Sequence, residues 1–195
     1  MIAAYNSNIV VIAAAGNSAN SIPSYPGAFD EALGVAASAL NGDIDIPASF
    51  TNYGDWVDVT APGVNILSLR AANTDMYGDG GAHIVGEMYY RANGTSMATP
   101  NVAGLAALVK SAVPSLSSQE VYQVIRLSSQ DVFSPNGQMN PSVYGLVNTA
   151  AAVQTALNIE TNPLAELVVK NTEVSAQSFQ GISSTIAVSA RVVNE

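Results

Sequence analysis

The stretch from Met97 to Val113 constrains this chain more than any other feature. It reads Met-Ala-Thr-Pro-Asn-Val-Ala-Gly-Leu-Ala-Ala-Leu-Val-Lys-Ser-Ala-Val and is stopped by Pro114. Pro100 falls in the first turn of a helix that starts at Met97, where a missing N–H costs nothing. From Val102 to Val109 the helix is apolar on all sides. Such a helix offers water no face and is expected to run buried through the centre of a domain.

Short apolar strands are the natural neighbours of that helix. Asn8 to Ala14 is a continuous β-branched run, the pattern of a strand buried on both faces in a parallel sheet, and it stops at Gly16-Asn17-Ser18. Leu33 to Ala37, Trp56 to Thr60 and Val64 to Leu69 read as further strands. Asn41-Gly42 ends the first of these, and Ala61-Pro62-Gly63 breaks the chain after the second. Residues 70–93 carry several glycines and polar residues and read as a long surface excursion. Ser117 and Glu120 form a capping box for a helix to about Ser128. Asn148 is placed to cap a last helix to about Leu157. After Asn162-Pro163 the alternating, Val- and Ser-rich segments have a β pattern, read as the start of a further module, with a lone hairpin as the alternative. The division is therefore 1–157 as one α/β domain and 158–195 as linker and β-rich extension.

The composition excludes several function classes. A net charge of −9 with only six Lys and Arg provides no basic cluster for a nucleic-acid partner. The longest apolar run, Ile9 to Ala15, is far too short to span a membrane. Without cysteine there is no disulfide, thiol nucleophile or thiolate metal site. Met1 leads into Ile-Ala-Ala-Tyr-Asn without a basic region, so no signal peptide is read.

Chemistry concentrates at Gly94-Thr95-Ser96-Met97-Ala98-Thr99-Pro100. This places Ser96 at the mouth of the buried helix. The first N–H groups of a helix lack partners, and the positive end of its dipole lies there. Both favour negative charge developing on a substrate carbonyl oxygen. A plain N-cap serine is the bland alternative. Asn17, just past a strand's carboxyl end, lies where ligands gather in open parallel sheets.

The heptapeptide, with Val102-Ala103-Gly104 after it, resembles the nucleophile signature of subtilisin-like serine proteases. Ala13-Ala14-Ala15-Gly16-Asn17 resembles that family's oxyanion segment. Ser49-Phe50-Thr51-Asn52-Tyr53-Gly54 and Ala61-Pro62-Gly63-Val64 resemble two blocks between them. The four occur in family order across residues 1–157. The resemblance implies a three-layer α/β domain with a mostly parallel sheet, and a peptide-bond hydrolase. It implies Ser96 as nucleophile, with its own N–H and the Asn17 amide holding the oxyanion. Ala14, Gly16, Ser18 and Thr95 are implied to contact substrate, with Ser24 near the base of the main pocket. Family members often carry Gly at the position of Ser24, so a narrowed pocket for mid-sized uncharged side chains is expected. Secretion is implied too, as is a protein or peptide substrate.

Two elements of the family pattern are missing. A serine needs a base, and neither the family's Asp-Thr-Gly nor its His-Gly-Thr-His occurs in this sequence. His83, the one histidine, follows Asn17 instead of preceding it and reads as a surface residue. Asp55, Asp58 and Asp75 lack the triad setting. The expected partner is therefore the N-terminal half of the same domain. Without it the chain is expected to be inactive, or to act as a non-catalytic peptide- or partner-binding fragment, or as a half-enzyme completed by a separate chain. No cofactor is required. Calcium is expected only in a full-length enzyme, and Asp58, which matches a weak cation position in some relatives, reads rather as a hydrogen-bonded carboxylate.

Overall fold

The computed structural model describes residues 1–131 and 140–161. A five-residue helix, α1 (Ile2–Asn6), leads into β1 (Ile12–Ala14). β2 (Leu33–Asn41) pairs in parallel with β1 on one side and with β4 (Val59–Pro62) on the other, and its far end folds back antiparallel onto β3 (Ile44–Pro47). Along β2 the side chains alternate. Leu33, Val35 and Ala37 enter the main core, while Gly34, Ala36 and Ser38 face the other side.

The central helix α2 spans Thr95–Ala112 and lies across β1, β2 and β4 through Ala98, Val102, Leu105, Ala106 and Val109. It starts two residues earlier than its composition suggests. Pro100 is consequently its sixth residue, inside the helix, and offers no N–H to the Ser96 carbonyl four residues back. The expectation of burial on all sides also fails: Ala103, Gly104, Ala107 and Leu108 are exposed, Leu108 by 52%. Of these, Ala103 and Ala107 line an open groove of about 480 Å³ together with Val10, Val11 and Ile12. Beside it, the outer edge of β1 pairs with no strand among the described residues. An apolar helix face and a strand edge thus lie bare side by side.

Helix α3 (Ser118–Ser128) begins with the expected capping box, in which Ser117 and Glu120 exchange side-chain and backbone bonds. Hydrogen bonds from Ser117, first its backbone N–H and then its hydroxyl, hold the Glu120 carboxyl below its ordinary value. The Tyr122 hydroxyl accepts from the Val11 N–H at 2.9 Å and faces the Val11 and Glu31 carbonyls, fixing α3 to the entry of β1 and β2. Helix α4 (Thr149–Thr161), with the Ala151 N–H bonded to Asn148, runs four residues past the expected end, so residues 158–161 continue the domain. The β-rich extension lies outside the described residues from 162 onward. All four helices among the described residues join the core on the α2 face. A second helical layer does not occur among the described residues, where the other face is covered by loops, with the Gly27 and Trp56 carbonyls close over Gly34.

The excursion has more order than its composition implies. β5 (Ile66–Leu69), β6 (Ile84–Val85) and β7 (Tyr89–Ala92) form a small antiparallel sheet that delivers the chain directly to Gly94.

Candidate active site

The ends of β1 and β4 and the mouth of α2 converge on one place. β4 contributes Gly63, whose carbonyl accepts from the Gly94 N–H at 2.8 Å, and Pro62, whose carbonyl accepts from Asn101 at 3.0 Å. Gly63 tolerates no side chain: a Cβ would lie 2.6 Å from that of Ala37 and 2.9 Å from the Gly94 oxygen. The Ala61-Pro62-Gly63 motif therefore seats the turn from Gly94 to Ser96 against the sheet, and Ala61 and Pro62 extend β4 where a break was expected.

β1 contributes Asn17. Its Oδ1 accepts from both the backbone N–H and the hydroxyl of Thr95, each at 2.9 Å. Those donors fix the amide's orientation, so Nδ2 must point away from Thr95. Nδ2 lies near Gly94, 3.4 Å from where a Cβ would stand. At the start of α2 the Thr95 N–H is thus taken by Asn17, and the N–H groups of Met97 and Ala98 return to Gly94. The Ser96 N–H has no acceptor among the described residues, and neither does the exposed Ser96 hydroxyl. Two unpaired N–H donors, one from a helix mouth and one from a strand tip, flank an exposed serine.

Thr95, expected to contact substrate, is 1% exposed. Its hydroxyl accepts from the Gly16 N–H at 3.1 Å while donating to Asn17. It stands behind the site and holds Asn17. Ser18 is exposed, and Gly16 and Ala14 are half-buried along the strand end. The Ser24 Oγ lies 3.5 Å from where a Gly16 Cβ would stand, which puts it against Gly16.

Sequence reasoning gave Asn52 no role, although its motif was identified. Asn52 is 4% exposed. Its Nδ2 donates to the Ala15 carbonyl at 2.9 Å, its Oδ1 accepts from the Ser18 N–H at 2.8 Å, and its N–H donates to the Gly16 carbonyl at 2.9 Å. The turn carrying Asn17 is gripped from both sides, by Thr95 and by Asn52. Gly16, at φ +105°, has no room for a side chain either, since a Cβ there would stand 2.5 Å from the Asn52 Nδ2.

Among the described residues, no candidate base joins this group. His83 pairs with Asp79 at 3.1 Å and lies against the Tyr77 and Tyr90 rings; none of these contacts involves Ser96. Asp58 lies at the amino end of β4, away from Asn17. Burial raises its carboxyl above the ordinary value, opposed by Arg126 at 2.8 Å and the Gly34 N–H at 2.7 Å. With both oxygens so engaged, Asp58 does not fit a cation site. No group of three His, Asp or Glu among the described residues could hold a metal, and no described helix is long and apolar enough to cross a membrane.

The profile of the Subtilase family matches residues 2–156. The thermostable alkaline protease of Halalkalibacterium halodurans is 36% identical over 151 residues, covering 77% of this chain and 36% of that protein. Subtilisin BL of Lederbergia lenta is 38% identical over 146 residues, covering 75% and 46%. Among solved structures, fervidolysin of Fervidobacterium pennivorans, a keratinolytic enzyme related to subtilisin, aligns with a TM-score of 0.65 at 32% identity, over 77% of this chain and 23% of that one. The chain spans less than half the length of each of these relatives. The profile match contains the segment that brings Ser96, Asn17, Thr95 and Asn52 together, and the chain belongs to the subtilase family of serine proteases.

Proposed function

We propose that this chain carries the nucleophile half of a serine endopeptidase. Ser96 Oγ attacks the scissile carbonyl carbon, and its proton passes to a histidine base supplied from outside the described residues. The oxyanion is held by the Ser96 N–H and the Asn17 amide. As the C–N bond breaks, the base returns the proton to the leaving amine; water then hydrolyses the Ser96 ester by the reverse transfers. One observation carries this reading: the Asn17 carbonyl is committed to Thr95, leaving its N–H₂ and the Ser96 N–H unpaired beside an exposed hydroxyl.

The base belongs to a partner segment, the N-terminal half of the same domain, which would cover the bare α2 face and add a strand to β1. Substrates are proteins or peptides. Ser24 beside Gly16 narrows the main pocket, favouring mid-sized uncharged side chains; preferred cleavage after Lys or Arg in a varied peptide series would contradict that. As in the resemblance, the complete enzyme would act outside the cell.

The bare groove and the missing base favour a second reading, a fragment that binds without cleaving. Labelling with a serine-directed fluorophosphonate separates the two. Labelling of Ser96 only after adding the base-bearing half supports the half-enzyme. Labelling of the chain alone would require a local base and overturn that division of labour. No labelling in either case favours the binding role.

A further inference from the structure

We propose that Asn52 is the residue that positions the oxyanion donor and the pocket rim together. The inference rests on reading Asn17 as that donor. Asn52 belongs to the loop between β3 and β4, 35 positions after Asn17, yet its side-chain amide spans the turn that presents it. It donates to the carbonyl of Ala15, two residues before Asn17, and accepts from the N–H of Ser18, one residue after. A weaker bond reaches the Asn20 N–H at 3.5 Å. Its backbone N–H takes the Gly16 carbonyl. A side-chain amide is the group that can do this, because it offers a donor and an acceptor at the spacing of a peptide unit.

The clamp is buried and has no slack. Thr51, the residue before it, is fixed through its own hydroxyl, which accepts from the Ala37 N–H at 2.9 Å, so the Asn52 anchor rests on the central strand β2. Thr95 holds Asn17 from the helix side, and Asn52 holds its two flanking peptides from the sheet side. The same two peptides carry Gly16 and Ser18, so one side chain sets both where the oxyanion donor stands and how wide the pocket entrance is. A displacement of about 1 Å in such a donor can lower a rate by about 10².

The test is a double-mutant cycle in the complete, base-bearing enzyme, reading kcat below the thermal midpoint of every variant. Asn52→Asp keeps the acceptor for Ser18 but turns an oxygen toward the Ala15 carbonyl; Asn52→Ser removes the clamp without adding charge and serves if the first variant folds poorly. Either change is expected to lower kcat by about 10-fold or more and to alter the relative kcat/KM among pocket side chains. In the Asn17→Ala background the kcat loss should shrink to under about twofold, because no donor remains to be misplaced. Equal losses in both backgrounds, or a lowered Tm with kcat and selectivity unchanged, would overturn the proposal. Ser96→Ala separates the levels: if it leaves activity intact, the reading of the site fails; if it abolishes activity while Asn52 and Asn17 changes are additive, only this inference fails.

Discussion

Helix α2 has two very different environments along its length. Its mouth is knit by hydrogen bonds to β1 and β4 through Asn17, Thr95, Gly63 and Asn101. Its flank at Ala103, Gly104, Ala107 and Leu108 is apolar and open, beside an unpaired strand edge. Electrostatic donors therefore stand preorganised on a body whose hydrophobic closure is unfinished. A donor set needs only the few backbone segments that carry it, whereas burial of a helix needs a layer on every side.

The largest test of that contrast is chemical. In the complete enzyme Ser96→Ala should reduce kcat by about 10⁶, the size known for removing the nucleophile in subtilisin. Asn17→Ala should reduce it by roughly 10²–10³, again the subtilisin value, with little change in KM. Steady-state kinetics on a peptide amide reads both, and a small loss for Asn17→Ala would break the claim that the mouth is preorganised.

Stability tests the other half. Leu33 is fully buried where β2 meets α2. Leu33→Ala should cost about 2–5 kcal/mol by denaturant titration, with or without the base-bearing half. Arg126→Ala should cost on the order of 3 kcal/mol at neutral pH by uncovering the Asp58 carboxylate. The folded protein holds the Asp58 proton more tightly than the unfolded chain, so ionisation opposes folding as pH rises through the raised value. Removing Arg126 leaves that opposition uncompensated. The loss should be full at neutral pH and fade below the ordinary value of 3.8, where both states are protonated. Urea titrations across pH would show a flat difference if Arg126 acted only by packing.

Smaller effects sharpen the boundary between the two regions. Ser117→Ala should remove about 1 kcal/mol by undoing the α3 cap, visible as a lower Tm. Leu108→Ala should change the isolated chain by no more than about 0.5 kcal/mol, as at an exposed position. The same change should weaken association with the base-bearing half, measured by titrating one against the other. Equal indifference in both measurements would mean that this flank is not the docking face.

Much of the architecture was legible in sequence. The Ser117–Glu120 cap and the arrest of α2 near Pro114 are local patterns, and each reappears close to its expected place. Of the run from Asn8 to Ala14, expected as a strand buried on both faces, only Ile12–Ala14 is strand, and Ile9 is exposed, because one edge of β1 has no neighbour among the described residues. The excursion between residues 70 and 93 was not legible, because its strands are only two to four residues long and are held by pairing across the sheet. The start of α2 was misplaced for a similar reason. Thr95 enters the helix while its N–H is satisfied by Asn17, a partner 78 residues away.

The amino-acid order alone fixed which residues are chemically able to act: a serine before a buried-type helix, an asparagine past a strand end, and no histidine or aspartate in a triad setting. Tertiary structure decided what each of them touches. It set Thr95 as a brace behind Asn17, gave Asn52 its grip on the turn that carries Asn17, and left one side of α2 uncovered among the described residues. Those outcomes depend on hydrogen bonds spanning 34 to 79 residues and on which layers surround a helix. Neither quantity is encoded in any local window, since periodicity reports only what a segment could bury and never what arrives to bury it.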